Sequence, residues 1–143
     1  MGFTGNFQQA KAMLALLRAR LAYPQPILNL IGQAAARRAE FEIRSGKHDP
    51  DGVAWAPWAD GTSRSRQKKG NAEQGLLWDT GTLLGSMRVQ VGATDVLIGT
   101  EVEYGHWLQD GTQRMPARRF LGWGAEGEKE AEKAMIDYLQ AGL

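Results

Sequence analysis

Met87-Arg88-Val89-Gln90-Val91-Gly92-Ala93-Thr94-Asp95-Val96-Leu97-Ile98-Gly99-Thr100 is the stretch that decides the fold. Its first five residues alternate apolar with polar, the next four carry turn chemistry, and the last five form a second β-rich run. That pattern predicts an antiparallel hairpin. The sequence on either side has a different period. Phe3, Phe7, Ala10, Leu14, Leu17 and Leu21 recur every three or four residues, which places them on one face of a helix ending near Ala22, with Asn6 as its cap. Tyr23-Pro24-Gln25-Pro26 interrupts it, because each proline disfavours helical geometry in the residue before it.

A second helix is predicted from about Pro26 to Arg44, with Ile27, Leu28, Leu30, Ile31, Ala34, Ala35, Ala39 and Phe41 on one half of the wheel. Arg38 falls inside that arc, with an aliphatic stem able to cover apolar surface and a guanidinium free to reach an acidic group of a neighbouring subunit. After the hairpin, Val102 to Asp110 predicts a short helix stopped by Gly111. Ala131, Ala134, Met135, Tyr138 and Leu139 then mark a C-terminal helix whose acidic start, Glu126, Glu128 and Glu130, suits the positive end of its dipole. Between Ser45 and Gly75 periodicity is lost, and Asp60 to Asn71 has the composition of a long, flexible basic loop, with order returning at Leu76. The expected architecture is α+β. It comprises N-terminal amphipathic helices, a small antiparallel sheet built around the hairpin, a C-terminal helix and a flexible loop at 60–75, in a single domain over 1–143.

Composition narrows the function. Seventeen Lys and Arg against sixteen Asp and Glu leave a net charge of +1, so any attraction to nucleic acid must be local. Cysteine is absent, which removes disulfides, thiolate zinc sites and a cysteine nucleophile. The first twenty residues do not read as a signal peptide, and no apolar run approaches the ~18 residues of a membrane span. A soluble chain without membrane contact is expected.

Three motifs suggest chemistry. Asp79-Thr80-Gly81 after Leu76-Leu77-Trp78 matches the aspartic-protease tripeptide, but that chemistry needs two carboxylates sharing a proton, hence a homodimer for a chain with one copy. The simpler reading makes Asp79 or Thr80 the cap of a short helix through Met87. His48, Asp49, Asp51 and Asp60 suggest a metal, and Asp49-Pro50-Asp51-Gly52 faintly resembles a calcium loop, but the rest of that loop is lacking and the segment reads as a turn. His106 has no catalytic partner at a recognisable spacing. Arg64, Arg66, Lys68 and Lys69 offer a nucleic-acid-binding alternative through non-specific phosphate contact, without a groove-reading motif. No catalytic residue, cofactor or metal is assigned. Trp55 and Trp58 flank Pro57, Tyr104 and Trp107 sit on the short helix, and Arg118 and Arg119 precede Phe120; residues of these types are enriched at interfaces. With the four basic residues they form the predicted partner-contact set.

Taken in order, Asp49 to Gly52 with Trp55 and Pro57, Leu77 with Thr80-Gly81, Leu83 to Ser86, Ile98-Gly99-Thr100, Tyr104, Gln109 to Gly111, Pro116-Ala117-Arg118 and Phe120-Leu121-Gly122 resemble the phage virion morphogenesis family. That family includes the tail-completion proteins of contractile-tailed, Mu-like bacteriophages. The resemblance covers about residues 36 to 124. It implies a non-enzymatic structural protein of the neck or tail end, acting in tail completion and head–tail joining as a ring of copies, hexameric by the resemblance. It also implies contact with other phage neck and tail proteins, and residence in the virion after assembly in the host cytoplasm. Trp58 after Pro57, and Gly105-His106-Trp107 after Tyr104, depart from the family pattern.

Overall fold

The structure, a computed structural model, describes residues 7–141. The predicted contribution of Phe3 and the Asn6 cap lie outside the described residues. Among the described residues, five α-helices accompany one two-stranded sheet, in the order α1 (Phe7–Ala22), α2 (Gln25–Phe41), α3 (Asp60–Lys69), β1 (Met87–Val91), β2 (Val96–Thr100), α4 (Gly105–Asp110) and α5 (Gly124–Gln140). The fold is α+β.

The hairpin is as the alternation predicts. Met87 pairs with Thr100, Val89 with Ile98 and Val91 with Val96, and the turn closes through Gly92 N–H donating to Asp95 O at 2.8 Å. An isolated hairpin is marginal in water, so this one needs a support. Helix α2 supplies it, crossing the sheet at Gly32, where an added Cβ would come within 2.5 Å of Val89 Cγ1 and 2.7 Å of Val96 Cγ2. The missing side chain is what lets helix and strands approach so closely.

Helix α2 is the centre of the molecule. The wheel assumed one buried face, whereas the sheet covers α2 on one side and α5 covers it on another. Ile27, Ala34 and Ala39 are therefore buried as predicted, Ala36 is buried although it lies off the predicted arc, and Leu30 and Phe41 stay exposed. Arg38 finds its acids within its own chain, Glu130 of α5 at 3.2 Å and Glu42 at 3.7 Å. The helix ends in a wide turn over Glu42–Gly46, Lys47 N–H reaching back five residues to Glu42 O at 2.8 Å. Ile43, the most deeply buried large side chain, sits in this turn and packs with Ala36, Ala39, Trp55, Leu83, Leu84, Met87 and Phe120 as one core.

The predicted basic loop is corrected. Asp60–Lys69 is helix, with Asp60 in the first turn, Arg66, Lys68 and Lys69 in the last, and Gly70 at φ +76 as the stop. Those placements suit the helix dipole, and a left-handed glycine closes the end through Asn71 N–H to Arg66 O at 3.2 Å. The apolar period fails here because α3 buries one residue, Arg66, and that residue is charged. A second correction concerns Asp79 and Thr80, neither of which caps a helix. The segment after them makes turns and one short helical turn over Leu84–Ser86, with no side-chain cap, while Thr80 Oγ1 and Thr82 Oγ1 bond each other at 2.8 Å.

Candidate interface site

Arg66 organises the surface between α3 and the turns that follow it. Its guanidinium lies 5.0 Å from the centroid of the Trp58 ring, donates to Trp78 O at 2.7 Å, and is 3.5 Å from Asp79 Oδ1. A charged donor with a carbonyl, a carboxylate and a π-face tolerates burial that a bare cation would not. Lys47 acts as a second tie: its ammonium donates to Ile43 O, to Gln74 O at 2.8 Å and to Leu76 O at 2.9 Å. Burial holds the Lys47 pKa below the usual lysine range, and the Arg66 charge adds to that.

The surroundings of Asp79 favour its ionised form. Asn71 Nδ2 donates to Oδ1 at 2.5 Å, with Arg66 on the same oxygen and Lys69 3.7 Å from the other. The Asn71 hydrogen bond, then the two cations, hold its pKa below the ordinary carboxylate value. A carboxyl with a depressed folded pKa contributes stability that is complete above its unfolded value of about 3.9 and is lost as pH falls through the folded one. Asp79→Asn is therefore expected to flatten the acid limb of a melting-temperature profile below about pH 4. With 43% of the side chain exposed, solvent screening keeps the effect small at neutral pH. A limb of unchanged slope in the variant would contradict this.

The other wall comes from α4 and the segment after it. Gln109 works as a piece of backbone: Oε1 accepts from Phe120 N and Leu121 N, both at 3.1 Å, and Nε2 donates to Leu121 O at 2.7 Å. Arg118 turns inward, donating to Ala56 O and Pro57 O, both at 2.8 Å, and burial lowers its pKa. These ties shape a hollow of about 720 Å³ into which Trp58, Arg66, Asp79, Tyr104, Arg114 and Arg118 converge.

Structure sorts the predicted contact set into three groups. Trp55 (6% exposed) and Phe120 (3%) belong to the chain's own core, and Trp55 Nε1–H donates to Arg119 O at 2.8 Å, so neither ring has a free face for a partner. Trp58, Arg66, Tyr104 and Arg118 come together around the hollow. Trp107 is 47% exposed and tilts against His106, with ring centroids 4.9 Å apart, while Arg64, Lys68 and Lys69 line the outside of α3 and Arg119 pairs with Asp51 at 2.9 Å. The structure does not bring that last group to the hollow. Asp49 spends its carboxylate on its own turn, accepting from Asp51 N and Val53 N at 2.9 Å. Sequence reasoning missed Asn71 and Lys47, whose roles depend on contacts eight and up to twenty-nine residues away.

Clamped arginines, half-exposed aromatics and an open hollow built on turns thus lie together on this side of the molecule. The chain belongs to the phage virion morphogenesis family, whose model matches residues 5–140. It is 30% identical over 135 residues to Mu-like prophage FluMu G protein 1 of Haemophilus influenzae, an alignment covering 94% of this chain and 88% of that protein. No solved structure matches the chain. A role in phage virion morphogenesis follows from the family, and no helix among the described residues is long and apolar enough to cross a membrane.

Proposed function

We propose that this chain is a non-enzymatic structural subunit of a phage neck or tail end, that it acts in tail completion and head–tail joining, and that it works in the virion as a ring of copies. Family membership across residues 5–140 carries the reading. The hollow lined by Trp58, Tyr104 and Arg114 supports it as a surface for other neck and tail proteins. Against the protease alternative stands the setting of Asp79: two cations and an amide donor favour its ionised form, whereas a catalytic pair needs two carboxyls placed to share a proton. The nucleic-acid alternative retains Arg64 and Lys68, which have no ion pair among the described residues, and two phosphate contacts give a salt slope of only about −2.

The test is a lysogen in which the gene for this chain is deleted. Induction is expected to yield separate filled heads and separate tails, with joined particles restored by the full chain supplied in trans. Joined, infectious particles at the normal count without it would overturn the reading.

A further inference from the structure

Among the described residues, helix α1 is held to its own molecule along one side. Arg20 donates to Tyr138 O at 2.9 Å, Leu139 O at 2.8 Å and Ala141 O at 2.5 Å, satisfying carbonyls at the C-terminal end of α5, and Leu16 and Leu17 are half-buried on the same side. About a third of a turn around the wheel lies a stripe of Lys11, Leu14, Arg18 and Leu21, spaced three, four and three residues apart. Leu14 is 66% and Leu21 60% exposed, and Lys11 and Arg18 make no ion pair among the described residues. The helix contains no acid to neutralise them.

Helix α5 carries the complement. Its Gly127, Ala131, Ala134 and Tyr138 form the side that lies against its own chain, and next to that side run Glu128, Glu132, Met135 and Leu139, spaced four, three and four apart. Both glutamates lack an ion pair among the described residues, and the two lysines of this helix, Lys129 and Lys133, fall on a different side, where they pair with Glu126 and Asp137. Each stripe extends about 15 Å, holds two apolar residues and two charges of one sign, and makes no ion pair among the described residues.

Resting on the ring reading above, we propose that the Lys11, Leu14, Arg18, Leu21 stripe of α1 in one copy docks on the Glu128, Glu132, Met135, Leu139 stripe of α5 in the next copy. The two patches differ, so the contact is head-to-tail, the arrangement that closes a ring when its rotation permits. Opposite charges set the register and Leu14 and Met135 supply the apolar centre.

Charge reversal tests it on the full chain by sedimentation velocity and native mass spectrometry. K11E/R18E and E128K/E132K should each keep the wild-type circular dichroism spectrum and each weaken self-association by about tenfold or more, since like charges then face each other. Mixed one to one, they should regain assembly as alternating copies. If the wild type forms rings and either variant alone assembles equally well, or the mixture stays monomeric, the docking proposal falls and the ring survives. A wild type that is monomeric both in solution and in virions ends both. Loss of DNA retention in K11E/R18E with assembly intact would likewise reject the α5 docking and assign the basic stripe to DNA.

Discussion

Trp55→Ala is expected to lower the unfolding free energy by about 3–5 kcal/mol, roughly 10–15 °C in melting temperature for a chain of this size. The ring packs with Ile43, Leu83, Leu84, Met87 and Phe120, and its N–H is the donor that Arg119 O depends on. Truncation therefore opens a cavity at the meeting point of α2, the hairpin and the C-terminal segment, and leaves an acceptor without its partner. Trp107→Ala, at a ring with 47% of its surface in water, should change stability by no more than about 0.5 kcal/mol. Calorimetry on both variants separates a core tryptophan from an exposed one. Equal losses at the two positions would show that the division between core and surface is misplaced.

Gly124→Ala is the second severe change, with at least about 3 kcal/mol expected and a large loss of soluble folded protein. Gly124 opens α5 at φ +57, a conformation costly for any residue with a Cβ, and the added carbon would collide with the carbonyl oxygen of Pro50 and lie 2.7 Å from its carbonyl carbon. Neither neighbour can yield easily, since both are backbone of the turn carrying Asp49 and Asp51. Gly61→Ala provides the contrast, because nothing lies within 4 Å of the new carbon and the site is helical. That change should be neutral or stabilising by up to about 1 kcal/mol. Chemical denaturation of the two variants reads the difference, and a Gly124→Ala protein as stable as wild type would refute the close approach of α5 to Pro50.

What the sequence revealed depended on the kind of force involved. The hairpin, α4 with its glycine stop, and α5 follow from apolar period and turn chemistry, and these appear where expected. Helix α3 did not show itself, because its interior contact is made by a guanidinium on Trp58, Trp78 and Asp79, and apolar periodicity is blind to that. Its terminal residues did carry the signal: Asp60 at the start, lysines at the end and Gly70 to close. The hollow was half visible. Trp58, Tyr104 and Arg118 stood out by residue type, but chain order alone does not show that Arg118 folds back onto Ala56 and Pro57 while Arg119 faces water. Trp55 and Phe120 looked like contact residues for the same reason, since an aromatic in a polar stretch reads alike whether it seals a core or greets a partner.

The way α3 is fastened has a dynamic consequence. Two side chains, the buried Arg66 and the exposed Lys69, tie it to the turns beyond, and the ten-residue helix contributes no apolar residue to the core. Releasing these polar ties frees the helix without disturbing Ile43 and its neighbours, so α3 is expected to open as a separate cooperative unit at lower free energy than the whole molecule. Its amide protons should exchange with solvent long before those of α2. A segment that opens separately in this way can exchange its Trp58 and Asp79 contacts for others at small thermodynamic expense while the rest of the subunit keeps its shape.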